Sequence, residues 1–224
     1  MKITFLGTGA ADWQKEDRKK SDFFRRNSSL LVDDTLLIDP GEYVPEALKE
    51  FRKNPDKIKH IICTHNHSDH FCEGTVKHLK NATFFEMHAG ETKKIGKYTV
   101  TALPANHALK STVHFIITDG EKRLFYGLDG AWLTYEEAES IKEKGVDFAV
   151  FDATVGNIPG DYRIFEHNNL SMVIEMKKSL EKHIKRFCIS HMAKTLHKTS
   201  HKVLSRNMKK HGIEVAFDGY ETEI

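Results

Sequence analysis

Cysteine is scarce in this chain and poorly placed for cross-linking: Cys63, Cys72 and Cys188 are odd in number and lack CxxC spacing. That excludes a disulfide framework or a thiolate zinc site and leaves reduced packing residues. No apolar run approaches the ~20 residues of a membrane span, and the apolar start Met1–Gly7 is too short for a signal peptide, so a cytoplasmic protein is expected. Charge of one sign is missing too. With 34 Lys+Arg against 32 Asp+Glu, the formal net charge of +2 gives no general field to draw the chain to nucleic acid or to a membrane. Repeats, low-complexity stretches and breaks in composition are absent, and 224 residues can bury a sizeable core without staples. One domain covering 1–224 is the expectation.

What is present is a series of apolar runs bounded by turn residues. They predict strands at 2–7, 28–33, 35–39, 58–64, 83–87, 97–103, 112–118, 122–127, 147–152, 185–190 and 213–217. Helical periodicity falls at 43–53, 70–80, 134–144, 168–182 and 198–211, the fourth with Leu170, Val173, Ile174 and Leu180 on one face. Strands come first in pairs and then alternate with helices. This order predicts an α/β fold of two packed sheets with helices outside, a four-layer αββα sandwich. Ala11–Asn27, dense in charge around Trp13, Phe23 and Phe24, reads as an exposed, mobile loop, either a plain connection or a lid over a substrate.

The chemistry concentrates in Ile61–His70, an apolar run ending in the cluster His65-x-His67-x-Asp69-His70. In extended backbone His65 and His67 point the same way and can meet one metal, while the following turn faces Asp69 and His70 elsewhere, so two ligand pairs suggest two metals. The chain has 14 histidines, and a lone one is usually a packing or surface residue. Four ligand-type side chains within six residues are another matter, because packing them together without a cation would cost several kcal/mol in unsatisfied polar groups. His107, Asp129 and His191 each follow an apolar strand-like run and could complete the shells, although singly Asp129-Gly130 is an ordinary turn and each histidine an ordinary strand-end residue.

The order and context of these seven residues, with Asp39-Pro40-Gly41 following Leu36–Ile38, resemble the metallo-β-lactamase superfamily over most of the chain. The resemblance implies the αββα fold. It also implies that His65, His67 and His107 hold one divalent ion, Asp69, His70 and His191 the other, and Asp129 both, with solvent between them as nucleophile. Zn²⁺ or Mn²⁺ leads as the metal, and Fe²⁺ is tolerated by the same donors. His67 argues against the flavodiiron branch, which usually places a glutamate there.

The metal cluster alone does not name a substrate. Glu166-His167-Asn168-Asn169 places a histidine just before a helix, with Asn168 or Asn169 as its N-cap, and a helix N-terminus suits a phosphate. A histidine that is not a ligand can protonate a leaving alkoxide, as phosphodiester hydrolysis requires. That segment and the terminal Gly212–Glu221 resemble the PhnP-type cyclic phosphate phosphodiesterases of the superfamily, which implies His167 as general acid beside Asp69 as catalytic carboxylate. The cysteine-rich insertion of that group is missing from Ala11–Asn27, so no third metal is expected. Asn169 and Lys194 are the candidate substrate contacts; Gly7-Thr8-Gly9 reads as a structural turn. The expected partner is thus a small phosphodiester, cyclic ones included, rather than a nucleic acid or a membrane, and a homodimer stays open. Rival readings are a tRNA 3′-processing nuclease, disfavoured by the weak net charge and the lack of a basic arm, and an acyl hydrolase of the lactonase or thioesterase kind.

Overall fold

The computed structural model describes residues 1–19 and 23–224; Lys20, Ser21 and Asp22, part of the expected loop, lie outside the described residues. In chain order the strands are β1 (Lys2–Gly7), β2 (Ser29–Val32), β3 (Leu36–Ile38), β4 (His60–Ile62), β5 (Thr83–Phe84), β6 (Thr92–Ile95) and β7 (Tyr98–Pro104). They continue with β8 (Val113–Thr118), β9 (Arg123–Gly127), β10 (Val146–Asp152), β11 (Ile184–Ser190), β12 (Ile213–Val215) and β13 (Glu221–Glu223). The α-helices are α1 (Val44–Glu50), α2 (Glu73–His78), α3 (Tyr135–Lys144), α4 (Leu170–Leu180) and α5 (His201–Lys209). None of them is long and apolar enough to cross a membrane.

Two compact units divide the chain: Met1–Met87 with Ala216–Ile224, and His88–Val215. The first carries the sheet β13-β1-β2-β3-β4-β5. Its β2–β3 hairpin turns on Asp33 and Asp34 at φ 48° and 56°, left-handed values that aspartate tolerates better than bulkier residues. β3 and β4 then run parallel, with Ile38 opposite Ile62, so their carboxyl ends lie side by side. Leu6, Leu31, Leu37, Val44, Leu48 and Ile61 form the buried cluster beneath α1.

Ala11–Asn27 is less exposed than its composition suggests. Trp13, Arg25 and Arg26 are buried, and Lys15–Lys19 forms a 3₁₀ turn. The reason is that both guanidinium groups are partnered: Arg26 pairs with Glu46 at 2.8 Å and Asp218 at 3.3 Å, while Arg25 donates hydrogen bonds to Thr8 Oγ1 at 2.6 Å and the Ala216 carbonyl at 2.9 Å. Gly7-Thr8-Gly9 is structural as expected. A Cβ on Gly7 would lie 1.9 Å from the Asn27 carbonyl oxygen, and Thr8 donates to Asp218 at 2.8 Å.

The second unit carries the sheet β12-β11-β10-β9-β8-β7-β6. β9, β10, β11 and β12 are mutually parallel neighbours, and α3, α4 and α5 supply the crossovers that parallel strands need. The strands are buried almost end to end, as for β10 with only Asp147 half-buried. Leu170, Val173, Met176 and Leu180 of α4 pack into this core with Phe125, Phe151 and Phe187, whereas the expected Ile174 is only partly buried. Because β7 and β9 each pair antiparallel with β8, β7 runs with β9, β10 and β11. The carboxyl ends of four strands therefore share one edge, the place where sheets of this kind present functional groups.

Candidate functional site

In the first unit the ligand-type residues follow the ends of β3 and β4. β4 stops at Ile62, earlier than the sequence suggested, so His65 and His67 sit in the loop that follows the strand. The loop is shaped by Asp39, fully buried with φ 58°. Its Oδ1 accepts the Thr64 N–H at 2.8 Å and the Thr64 hydroxyl at 2.9 Å, and its Oδ2 accepts from His70 Nδ1 at 2.8 Å. Burial pushes the Asp39 carboxyl up, but His70 and the Thr64 N–H hold it below its ordinary value. Gly41 is required by close approach, since a Cβ there would lie 2.8 Å from the Asp69 carbonyl oxygen.

These bonds assign tautomers. A carboxylate only accepts, so His70 carries its proton on Nδ1 and turns the Nε2 lone pair inward. Thr64 has one hydroxyl proton, directed at Asp39, so its oxygen accepts from His65 Nδ1 at 3.0 Å and His65 takes the same tautomer. The His65 ring lies 4.5 Å from the rings of both His67 and His70, and His70 Nε2 is 3.5 Å from Asp69 Oδ2.

In the second unit His107 follows β7, Asp129 follows β9, Asp152 ends β10 and His191 follows β11. Asp129 and His191 adopt φ 59° and 58°, left-handed values that non-glycine residues keep only where the surroundings enforce them. His107 Nδ1 faces the Glu166 carbonyl at 3.3 Å, which again leaves its lone pair on Nε2. The Thr154 hydroxyl donates to the His191 carbonyl at 2.9 Å and accepts from His191 Nδ1 at 2.8 Å. His191 Nε2, with its lone pair, then faces Asp129 Oδ1 at 3.1 Å.

Two electron-pair donors at that distance repel unless a positive charge lies between them. Two ligands on one tetrahedral cation are about 3.3 Å apart, close to the separations of both the His191–Asp129 and the His70–Asp69 pairs. Within each unit, then, two histidines have an anchored Nδ1–H and a presented Nε2, with the outer partners that metal sites use to orient imidazoles. The residues therefore fit divalent cations.

His167 is held differently. Its Nδ1 lies 2.8 Å from Asp152 Oδ2 and 3.4 Å from Asp129 Oδ1, and Asp152 Oδ1 is fixed by the N–H groups of Thr154 and Asn168 at 2.8 and 3.2 Å. Burial lowers the His167 pKa, but Asp152 and then Asp129 outweigh it and raise it to about 9. Asp152, His167, Asp129 and His191 thus form one cluster of titratable groups, His167 half-buried and the others buried.

The Asp129 turn is strapped to its neighbours. Ala131 N–H donates to Asn106 O at 3.0 Å, Asn106 Nδ2 returns a bond to Ala131 O at 2.9 Å, and Trp132 N–H donates to Asn168 Oδ1 at 2.6 Å. Asn169, not Asn168, is the N-cap of α4, accepting the Met172 N–H at 2.9 Å, so its amide oxygen is committed to the helix. Lys194 lies half-buried three residues past His191. Asp152 and Thr154 were missed by sequence reasoning; the available signal was a carboxylate closing the apolar run Val146–Asp152.

The metallo-β-lactamase fold protein YhfI from Bacillus subtilis superposes with a TM-score of 0.76 at 16% identity, covering 100% of this chain and 99% of its own. This chain has the metallo-β-lactamase fold. A diphosphatase from the PhnP family matches the fold at TM-score 0.75 and 18% identity, with 100% and 96% coverage. Zn²⁺-bound PqqB from Methylobacterium extorquens matches at 0.74 and 18%, with 100% of both chains covered. The αββα class expected from the order of strands and helices is thereby met. A family profile described as "Anti-Pycsar protein Apyc1" matches residues 1–75, the stretch that contains Asp39 and the His65–His70 cluster. No relative is found among curated proteins.

Proposed function

We propose that this metallo-β-lactamase-fold chain is a metal-dependent hydrolase of a small phosphodiester, cyclic ones included, with His167 as general acid. The observation that carries the reading is the Asp152–His167 pair at 2.8 Å, set beside Asp129 but outside the four presented Nε2 lone pairs. His65, His67 and His107 would hold one divalent ion, Asp69, His70 and His191 a second, and Asp129 would serve both. Zn²⁺ and Mn²⁺ suit these imidazole and carboxylate donors. When bound, such a pair supplies Lewis acidity and a water of lowered pKa.

The chain's own residues do the rest. Asp152 fixes the His167 ring through Nδ1, so Nε2–H is the group that faces outward to protonate a departing alkoxide oxygen. That step separates the phosphodiester reading from acyl hydrolysis, in which no such acid is needed for a good leaving group. Lys194 contributes positive charge for a phosphate oxygen, and the Nδ2 of Asn169, whose Oδ1 caps α4, remains to donate to substrate. Cys63, Cys72 and Cys188, none in a disulfide, suit the reducing cytoplasm.

The test is turnover of the metal-loaded protein on 2′,3′-cyclic nucleotides, bis-p-nitrophenyl phosphate, and p-nitrophenyl and lactone esters. We expect phosphodiester turnover that chelation and Asp69→Ala abolish. His167→Ala is expected to lose about 10²–10³-fold on the alkoxide-leaving cyclic nucleotides, and much less on the p-nitrophenyl diester, whose leaving group needs little help. Equal losses on both, or activity on esters alone, would remove His167 from the role.

A further inference from the structure

His114 lies on β8, seven residues past His107, and the sequence gives no hint of a task for it. Its ring is 1% exposed, and the Glu137 carboxylate that it meets is fully buried. Nδ1 is hydrogen-bonded to Glu137 Oε1, and Nε2 lies 3.1 Å from the Leu128 carbonyl oxygen. Both partners are acceptors only, so both ring nitrogens must carry protons and the ring is an imidazolium. Burial pushes His114 toward the neutral form, but Glu137, and more weakly Asp152, outweigh it and raise its pKa.

The pair closes a clamp around the segment from Leu128 to Thr134. At one end His114 grips the Leu128 carbonyl. At the other, Glu137 Oε2 accepts the Thr134 N–H at 2.6 Å, and Thr134 Oγ1 reciprocates by accepting the Glu137 N–H at 3.2 Å. Between these ends stands Asp129, in its left-handed conformation. The segment also lies flat against the ring, since a Cβ on Gly130 would be 2.5 Å from His114 Cε1. Cβ-free backbone on that side is what lets the imidazolium approach closely. A buried ion pair is weak support for stability, because apolar residues of similar volume usually do as well. What an apolar residue could not do is hold a carbonyl in place and so aim the next side chain.

We propose that His114, acting through Glu137 and the Leu128 carbonyl, is a positioning residue that fixes the Asp129 turn and thereby sets the affinity of the site for divalent cations. The inference rests on the metal-site reading above. It adds an outer layer to the metal ligands, reached through the backbone rather than through a ligand side chain.

The experiment measures Zn²⁺ affinity by competition with a chromogenic chelator for wild type, His114→Leu, His114→Gln and Glu137→Gln, with apo-protein thermal midpoints alongside. Outer partners of metal ligands typically govern about 10–100-fold in affinity. His114→Leu should lose that much, and His114→Gln, whose amide can still donate to the Leu128 carbonyl, should recover part of it. Glu137→Gln should fall between them. Lower apo midpoints with unchanged Zn²⁺ affinity would mean a merely structural pair and overturn the proposal while leaving the metal reading intact. Wild type that binds no Zn²⁺ would overturn both. Should the variants not fold, ¹⁵N NMR of wild-type imidazoles decides: two protonated nitrogens on His114 at pH 8 support the clamp, and a neutral ring sinks it.

Discussion

At the scale of single residues, the tautomers matter more than the ligands' identities. Asp39 fixes His70 by accepting its Nδ1–H at 2.8 Å while accepting twice from Thr64. In Asp39→Asn the amide oxygen would keep the Thr64 bonds and turn its NH₂ toward His70, forcing the ring's proton onto Nε2. The expected outcome is a Zn²⁺ affinity lower by about 10–100-fold with little change in far-ultraviolet circular dichroism, read by equilibrium dialysis and metal analysis. Thr154→Val makes the same point in the second unit, since it removes the oxygen that accepts from His191 Nδ1 at 2.8 Å. Here the loss should be confined to metal binding and turnover, and a variant with wild-type metal content would count against the tautomer argument. The six-residue cluster His65–His70 was legible in the sequence because its spacing carries information. Asp152 was not, because a lone aspartate at a strand end has no spacing partner, and its meaning arises only when α4's entry loop brings His167 back to it.

At the scale of elements, α3 and α4 begin where chemistry sits, so their caps serve two ends. Thr134 opens α3 with a reciprocal capping box to Glu137, and Asn169 opens α4. Thr134→Ala and Asn169→Ala should each cost about 1 kcal/mol in urea unfolding. If Asn169 also contacts substrate, Asn169→Ala will raise KM beyond what a Met172-side control such as Ser171→Ala does. The His114–Glu137 bond between β8 and α3 adds a pH signature. Because the His114 pKa is raised in the fold, its stabilisation is complete below the ordinary value of 6.5 and fades as pH rises through the folded value. Apo-protein unfolding should therefore show a stability loss toward alkaline pH that is smaller in Glu137→Gln; identical slopes would refute it. Most strands and helices were legible from apolar periodicity. The two strands that were not, β6 and β13, lie at sheet edges with sequences Thr-Lys-Lys-Ile and Glu-Thr-Glu. An edge strand pairs on one side and needs no apolar run, and charge there discourages further pairing.

At the scale of the whole molecule, the near balance of 34 Lys+Arg against 32 Asp+Glu fits a site whose charges are local and mutually neutralised. Cations bound to the folded state alone stabilise it by mass action, about 2.7 kcal/mol at a hundredfold excess over Kd. For a chain of this length that corresponds to a thermal midpoint about 5–10 °C higher, checked by calorimetry with and without chelator; no shift would argue against folded-state metal binding. The fold class was readable from the order of strands and helices, but the burial of Arg25 and Arg26 was not, since a run dense in charge looks solvated until its counter-charges, Glu46 and Asp218, are seen beside it.

The first unit is built from two segments far apart in sequence, with β13 paired to β1 through Lys2–Glu223, Ile3–Thr222 and Thr4–Glu221. During translation this means that β1 is made long before β13, the strand it pairs with. Until 216–224 emerge from the ribosome, β1 presents one unpaired edge, and Arg25 and Arg26 lack Ala216 and Asp218, partners 191 and 192 residues further on. The second unit, contiguous from His88 to Val215, can finish in the meantime. Newly made protein should therefore become protease-resistant across His88–Val215 before it does across Met1–Met87.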